Sequence, residues 1–171
     1  VAAHVPECAG VVAAAGGVGG DGNGVRADWQ ASFESNVLTA VLLVEALRSS
    51  LERNAGRVVL LSSVAALRGS FGGPYGAMKA ALHAYVFDLA RDLGAHGGTA
   101  NVVAPGFVPD TEFWEGRLTE ETRARRVGMT LVGREGTSQE IASLIGWLLG
   151  PDGGWVTGQI LSPNGGMAFG R

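Results

Sequence analysis

Short apolar runs alternate along the chain with longer segments in which apolar residues recur every three or four positions. Runs of the first kind predict buried strands, and the longer periodic segments predict helices. The predicted strands cover residues 11–15, 57–61, 99–104 and 156–162, and the predicted helices cover residues 28–53, 75–93, 119–127 and 137–149. Because strands and helices alternate, the strands are expected to pair in parallel. The predicted fold class is therefore α/β, with a doubly wound parallel sheet.

Capping and turn residues mark where three of these helices begin. Asp28 is predicted to cap the first helix, and Pro74 fits the first turn of the second. Thr137 and Glu140 form the pattern of a capping box at the start of the last helix. The sequence contains no internal repeat, linker or low-complexity tail, so residues 1–171 are expected to form a single domain.

Composition argues against several classes of protein. The formal net charge is −3 and the sequence contains no basic run, which argues against a nucleic-acid partner. The longest apolar stretches are well short of the ~20 residues that span a bilayer, and the first ten residues lack the pattern of a signal peptide. The one cysteine, Cys8, excludes an internal disulfide. A protein with no membrane partner, located in the cytoplasm, is expected.

Tyr75 and Lys79 lie four residues apart in a predicted helix, so their side chains share one helical face. A nearby ammonium favours phenolate, and the pKa of Tyr75 is therefore expected to fall from ~10 towards working pH. Tyr75 would then act as a general acid for a carbonyl that is reduced, or as a general base for an alcohol that is oxidised. Of the 13 basic residues only Lys79 is a lysine, which suggests that this position needs an ammonium rather than a guanidinium.

Further polar and turn residues fall where one edge of the predicted sheet would lie. Ser63 follows the strand at 57–61, and Pro105 follows the strand at 99–104. Residues at the carboxyl ends of parallel strands face the ligand crevice of such a sheet. Asn36 lies inside an apolar helix, where its amide either has a specific partner or only bends the helix. Ser63 in turn either faces the crevice or only caps the end of its strand.

Together these residues resemble the short-chain dehydrogenase/reductase family, and within it most closely the 3-oxoacyl-[acyl carrier protein] reductases. The matching elements, in chain order, are Asn36, Ser63-Val64, Tyr75-x-x-x-Lys79, Pro105-Gly106-Phe107-Val108, Val156-Thr-Gly-Gln and Asn164-Gly-Gly166. The match extends from about residue 11 to residue 166 at close to the usual spacings. The resemblance implies a Rossmann-like fold and hydride transfer between NADP or NAD and a ketone or secondary alcohol, with reduction of a 3-oxoacyl thioester as one candidate reaction.

The resemblance also implies roles for individual residues. Ser63 would hold the substrate oxygen, Tyr75 would transfer the proton, and Lys79 would also bind the nicotinamide ribose. Asn36 would order a water molecule that links Lys79 to solvent. The other residues implied in cofactor binding are Ala13, Pro105, Gly106, Val108 and Thr111. No metal is implied, and the substrate would be a small molecule.

Apolar residues on more than one face of helices 28–53 and 75–93 predict that the protein associates, because one sheet cannot cover them all. The family pairs the corresponding helices across a two-fold axis. A homodimer or a homotetramer is therefore expected.

Three departures from the family pattern affect the cofactor site. Residues 13–16 are Ala-Ala-Ala-Gly where the family has Asn-Asn-Ala-Gly, and Thr111 comes one residue late after Pro-Gly. The family's first strand, its glycine-rich phosphate loop and its ribose-selecting strand find no match, which corresponds to roughly 80 residues. The chain is thus expected to represent the C-terminal two-thirds of the domain. By itself it is expected to hold only the nicotinamide end of a dinucleotide.

Residues 17–22 match the pattern G-x-G-x-x-G after a predicted strand. However, Asn23-Gly24 continue the loop, so no helix N-terminus would meet a phosphate there, and the segment is interpreted as an ordinary loop. The three histidines share no metal-ligand spacing and are interpreted as surface or packing residues. They are His4, His83 and His96.

Two further sets of residues have both a functional and a structural interpretation. One set either lines an apolar substrate lid or fills the core. It comprises Phe107, Phe113, Trp114 and Met129. The other either meets a phosphate of a carrier protein or coenzyme A, or forms a solvated helix face, which is the favoured interpretation. It comprises Arg123, Arg125 and Arg126.

The leading functional hypothesis is therefore an NAD(P)(H)-dependent ketone reductase or alcohol dehydrogenase. The alternative is a non-catalytic fragment that keeps the oligomer surfaces but cannot bind a dinucleotide, as the unmatched phosphate loop suggests. An extended epimerase or dehydratase would need a larger substrate domain than the segment after Lys79 provides.

Overall fold

The computed structural model describes residues 7–18, 23–70 and 73–169. The strands are β1 (Gly10–Ala13), β2 (Arg57–Leu61), β3 (Thr99–Val103) and β4 (Ile160–Leu161). The α-helices are α1 (Val25–Phe33), α2 (Thr39–Arg53), α3 (Ala65–Arg68), α4 (Tyr75–Gly94), α5 (Glu120–Val127) and α6 (Ser138–Leu149). A π-helical segment, Glu34–Leu38, joins α1 to α2, and 3₁₀ turns cover Glu112–Trp114 and Pro151–Gly153.

The four strands form one parallel sheet in the order β1-β2-β3-β4, with helices packed on both faces. Alternate side chains of β2 point to opposite faces, as the period of a strand requires. Val58 and Leu60 belong to the core that α2 and α4 form on one face. Val59 instead packs with Leu148 of α6 on the other face. The predicted α/β class with a doubly wound parallel sheet is confirmed.

Several predicted elements are confirmed closely. Strand β2 has the predicted ends, and α4 begins directly after Pro74. The capping box at the start of α6 is complete: Thr137 Oγ1 accepts a hydrogen bond from the Glu140 backbone N (3.2 Å), and a Glu140 carboxylate oxygen accepts one from the Thr137 backbone N (2.9 Å). Helix α3 was not predicted; the Ser63 hydroxyl accepts a hydrogen bond from Ala65 N (3.2 Å) at its first residue.

The first predicted helix differs from the structure in two ways. Helix α1 begins at Val25, ahead of the predicted cap Asp28. The Gly24 carbonyl accepts a hydrogen bond from Asp28 N (3.0 Å). Asp28 is therefore not the N-cap, although its charge in the first turn still complements the helix dipole. The stretch is also not one continuous α-helix, because the π-helical segment interrupts it.

The first and last strands are shorter than predicted. Strand β1 ends at Ala13, two residues early, and only Ile160–Leu161 of the last run pair with β3. In the segment before β4, a side chain makes hydrogen bonds that the backbone of a paired strand would otherwise make. Asn101 donates to Val156 O (2.7 Å) and accepts from Gln159 N (3.0 Å). These side-chain bonds hold the segment beside the sheet without strand pairing.

Within the described ranges, no helix has the length and apolar character needed to cross a bilayer. The same residues contain no group of three or more histidine, cysteine or acidic side chains placed to hold a metal ion.

Candidate active site

A cleft of about 640 Å³ opens at the carboxyl ends of β1, β2 and β3. Ligands bind at this edge in parallel α/β sheets. The cleft is lined by Ser63 after β2, by Tyr75 and Lys79 of α4, and by Pro105 and Gly106 after β3. The fold therefore brings together residues that are far apart in the sequence, from Ala14 to Met167.

The Ser63 hydroxyl and the Tyr75 phenol both line the cleft, and hydrogen bonding from Ser63 lowers the pKa of Tyr75. The Ser63 oxygen also accepts from Ala65 N (3.2 Å), so its own hydrogen is available to the Tyr75 oxygen. A substrate carbonyl placed between these two hydroxyls would meet two donors. The pair is therefore suited to hold a carbonyl oxygen and to protonate it.

The pKa of Tyr75 is raised above its ordinary value, contrary to the sequence prediction. Burial is the dominant cause, because it disfavours the phenolate. The Ser63 hydrogen bond and the Arg117 charge oppose this effect and lower the pKa, but only in part. The Lys79 ammonium lies 6.0 Å from the centroid of the Tyr75 ring, so helical spacing overstated its influence.

Lys79 is buried, with 4% of its surface exposed, and its Nζ donates a hydrogen bond to Leu61 O (2.9 Å) at the end of β2. Burial lowers the pKa of Lys79 to about 8. An ammonium is a compact charge whose pKa responds strongly to its surroundings, whereas a guanidinium stays charged. This environment gives a physical reason for a lysine at the one position where the chain has one.

Asn36 is fully buried in the π-helical segment and fastens the loop that follows β1. Its amide nitrogen donates to Gly17 O (2.9 Å) and to Ser32 O (3.0 Å), and its amide oxygen accepts from Gly17 N (3.1 Å). The amide thus has specific partners, and the alternative that it merely bends the helix is not needed. Asn36 itself lies behind the cleft wall rather than in it.

Gly16 is a site residue that sequence analysis did not single out. A Cβ at this position would lie 2.5 Å from Asn36 Oδ1 and 2.9 Å from Lys79 Nζ, and the backbone φ of +139° also favours glycine. Asn36 and Lys79 therefore converge on one point of the cleft wall, and only glycine leaves room for both. The glycine directly after the predicted strand was the available signal.

The residues implied in cofactor binding fall into two groups. Pro105, Gly106, Val108 and Thr111 line the cleft. A Cβ on Gly106 would lie 2.7 Å from Asn164 Cα, so this segment packs directly on the turn after β4. Pro105 lies beside the segment that carries Ser63, because the Pro105 carbonyl accepts a hydrogen bond from Val64 N (2.8 Å).

Ala13 differs from that group. It is buried in the sheet core, with 3% exposed, and its neighbour Ala14 lines the cleft in its place. The resemblance to the family implied Ala13 because residues 13–16 stand where the family has Asn-Asn-Ala-Gly. Thr111 does line the cleft, where its hydroxyl donates to Val108 O (3.2 Å).

Ser62, next to the predicted Ser63, anchors α4 to β2. Its hydroxyl is buried and donates to the Lys79 carbonyl (2.9 Å), and it also lies 2.9 Å from His83 Nε2. Burial lowers the pKa of His83. His83 is therefore a packing residue that supports the helix carrying Tyr75 and Lys79, while His96 is exposed.

Of the four residues predicted either to line a substrate lid or to fill the core, some line the cleft and others pack in the core. Phe107 is buried, packs with Val64 and Met167, and also touches the cleft. Phe113 and Trp114 line the cleft, and the Phe113 ring lies 5.5 Å from the Tyr75 ring, centroid to centroid. Met129 packs against the Phe107 cluster and does not line the cleft.

The three arginines of α5 also differ from one another. Arg123 pairs with Glu135, and Arg125 is exposed, as a solvated face predicts. Arg126 is half-buried and lines the cleft, so the solvated-face interpretation is wrong for this residue. Arg68 and Arg117 line the cleft too, and no spacing pattern in the sequence marks them.

Some predicted features lie outside the described residues. These are residues 19–22 of the G-x-G-x-x-G match and His4.

Comparison with known proteins agrees with this geometry. A family model described as enoyl-(acyl carrier protein) reductase matches residues 1–168. A solved short-chain dehydrogenase/reductase from Serratia marcescens is 31% identical, with a TM-score of 0.83 over 96% of this chain and 67% of that one. The chain belongs to the short-chain dehydrogenase/reductase family.

Two further relatives of this short-chain dehydrogenase/reductase are named for their activities. It is 34% identical to the 3-oxoacyl-[acyl-carrier-protein] reductase of Salmonella typhimurium over 142 residues, which are 82% of this chain and 57% of the relative. A 7α-hydroxysteroid dehydrogenase solved with NADH and 7-oxo glycochenodeoxycholic acid is 30% identical, with a TM-score of 0.85 over 94% of this chain and 65% of that one. The chain thus spans less than two-thirds of the length of either relative.

Proposed function

We propose that this short-chain dehydrogenase/reductase, in its full-length form, transfers hydride between NADP(H) or NAD(H) and a ketone or secondary alcohol. The observation that carries the proposal is that Ser63 and Tyr75 line one cleft, with Lys79 buried one helical turn away. Reduction of a 3-oxoacyl thioester is the candidate reaction that the Salmonella relative supports. The intact pair favours this proposal over a non-catalytic fragment.

The residues of the cleft suit carbonyl reduction in particular. Because the pKa of Tyr75 is raised, the phenol keeps its proton at neutral pH and can donate it to an oxygen that gains negative charge. Ser63 donates a second hydrogen bond, which orients that oxygen. Lys79, held by Leu61 O, places a positive charge behind Tyr75 and would help to restore its proton.

Two parts of the cleft suit a nicotinamide nucleotide. Gly16 leaves room for Lys79 Nζ at the cleft wall, and Pro105 and Val108 offer an apolar surface to a flat ring. These residues fit the nicotinamide and its ribose, and Lys79 would donate to the ribose hydroxyls. When bound, the nicotinamide supplies or removes the hydride.

The same reasoning supports three broader proposals. We propose that residues 1–171 form the C-terminal two-thirds of one catalytic domain. We propose that the protein acts in the cytoplasm on a small-molecule substrate. We also propose that it works as a homodimer or homotetramer through helices α2 and α4.

Replacing Tyr75 by phenylalanine tests the proposal directly. We expect Tyr75→Phe in the full-length protein to lower ketone reduction at least about 10²-fold, because a positioned general acid is lost. Turnover is followed as oxidation of NADPH and of NADH in separate assays. The matched control is Tyr85→Phe on the same helix, whose hydroxyl donates to Glu45 (2.9 Å) away from the cleft. Turnover of Tyr75→Phe close to that of Tyr85→Phe would refute the proposal.

A further inference from the structure

The cleft carries a positive charge that the chain as a whole does not. The formal net charge of the chain is −3. The basic side chains that line the cleft are Arg68, Lys79, Arg117 and Arg126, whereas Glu112 is the one acidic side chain named among the described lining residues. Clefts lined by one sign of charge attract ligands of the opposite sign. The excess of basic groups therefore concerns what enters the cleft.

The arginines lie on the substrate side of the cleft, next to its aromatic wall. The Arg117 guanidinium lies 4.8 Å from the centroid of the Phe113 ring, and that ring lies 5.5 Å from the ring of Tyr75. Arg117 also donates to Phe113 O, which fixes its position. Phe113 thus separates the proposed proton donor from a cation by the width of one aromatic ring.

Arg126 extends the same wall. Its guanidinium lies 5.5 Å from the centroid of the Trp114 ring, which itself packs edge-on against Phe113 at 5.2 Å. The pKa of Arg126 is lowered by burial and by the nearby charges of Arg125 and Arg68. Like charges that crowd in a half-buried place repel each other, and a bound anion would relieve that repulsion.

We propose that the substrate of this cleft is a carbonyl compound with an apolar stem and an anionic group, the stem lying on Phe113 and Trp114 and the anion held by Arg117 and Arg126. The inference rests on the proposed function, since it assigns the other end of the same substrate. A planar guanidinium binds carboxylate and phosphate equally well through paired hydrogen bonds. The anion is thus a carboxylate or a phosphate.

Two matched substrate pairs test the inference and separate the two anions. One pair is a medium-chain keto acid and its methyl ester. The other is a medium-chain keto alcohol phosphorylated on its hydroxyl and the same keto alcohol without the phosphate. We expect kcat/KM to be about tenfold or more higher for the anionic member of at least one pair. Preference in the first pair identifies a carboxylate, and preference in the second identifies a phosphate.

Variants of the arginines locate the effect. Arg117→Gln and Arg126→Gln are expected to remove most of the preference for the anionic member, whereas Arg126→Lys keeps only part of it, because the charge remains but the paired hydrogen bonds are lost. Arg125→Gln is the matched control, since it removes one charge from the same helix at an exposed position outside the cleft. The inference is wrong if the wild-type protein shows no preference in either pair, or if Arg125→Gln lowers it as much as Arg126→Gln.

A binding measurement distinguishes this inference from the proposed function. Hexanoate, which has no ketone, is titrated calorimetrically into the wild-type protein and the arginine variants. Tyr75-dependent reduction of neutral and anionic ketones at equal rates would keep the proposed function and overturn the anion site. Hexanoate binding that needs Arg117 and Arg126, in a protein without reductase activity, would keep the anion site and overturn the proposed function.

Discussion

Lys79 holds an ammonium group in a place where charge is costly. Its side chain is 4% exposed, and its pKa is lowered to about 8 from an ordinary value of 10.5. Between these two pH values the unfolded chain retains a proton at Lys79 that the folded chain has released. Because the unfolded state then binds more protons, the free energy of unfolding rises with pH across this window.

This linkage gives a prediction for the pH range from about 8 to 10. The free energy of unfolding of the wild-type protein should rise relative to that of Lys79→Met, with a limiting slope of about 1.4 kcal/mol per pH unit. Denaturant unfolding of both proteins at several pH values measures the difference. A flat or falling difference would contradict the low pKa of Lys79.

At the scale of single residues, the sequence predicted which side chains meet but not how they titrate. The four-residue spacing placed Tyr75 and Lys79 on one face of a helix, and both line the cleft. Spacing contains no information on burial, and burial reverses the expected direction of the Tyr75 pKa. The contacts of Gly16 were equally out of reach, because Asn36 and Lys79 meet it only once three elements are folded together.

Helix α6 starts beside the cleft, and its first turn is tied down from two directions. The capping box joins Thr137 to Glu140, and the Asp110 carboxylate accepts hydrogen bonds from Ser138 N (3.1 Å) and Ser138 Oγ (2.9 Å). These bonds satisfy backbone donors that a helix start otherwise leaves without partners. Asp110 belongs to the segment after β3, so the helix start and one wall of the cleft are connected.

We expect Thr137→Ala to lower the free energy of unfolding by about 1 kcal/mol, because the helix loses its capping oxygen. Thermal or denaturant unfolding measures the change. Ser143→Ala is the control on the same helix: its hydroxyl donates only to the carbonyl one turn earlier (2.8 Å), and its loss should change stability little. Equal losses for the two variants would show that the cap contributes nothing specific.

At the scale of elements, the sequence predicted the elements that local patterns mark. It did not predict where a side chain replaces the hydrogen bonds of the backbone. The capping box of α6 and the apolar run of β2 are local patterns, and both elements appear where the sequence predicted them. Strand β4 is shorter than its apolar run because the side chain of Asn101 replaces part of the backbone ladder. Such a replacement depends on a residue 55 positions away from Val156, which no local pattern contains.

Helices α2 and α4 lie side by side and leave apolar surface uncovered. Arg48 of α2 pairs with Asp92 of α4 (3.1 Å), and Tyr85 of α4 donates to Glu45 of α2 (2.9 Å). Much of the apolar surface that the sequence showed on these helices is buried against the sheet. Leu42 remains 59% exposed and Phe87 46% exposed. Those two residues carry the expectation of association at the scale of the whole molecule.

We predict that Leu42→Asp weakens self-association about tenfold or more, since it places a charge where an apolar side chain would be buried. Light scattering of the full-length protein over a range of micromolar concentrations follows the change. Gln139→Glu adds the same charge at an exposed site on α6 and serves as the control. A wild-type protein that stays monomeric at these concentrations, or a Leu42→Asp variant that associates like the control, would contradict the prediction.

The π-helical segment also changes which residue positions are buried in the helix that follows it. Before the segment, Ser32 is buried, and a regular helix would continue this face through positions 39, 43, 46 and 50. The principal apolar positions that are buried instead are Ala40, Val44, Leu47 and Leu51, one residue later. Each π turn inserts one residue, which rotates everything after it by about 100°. Alignments of this stretch should therefore tolerate a one-residue gap only inside Glu34–Leu38. A deletion elsewhere would rotate the helix, so that Leu42 or its neighbours would face the core and Asn36 would point away from Gly17.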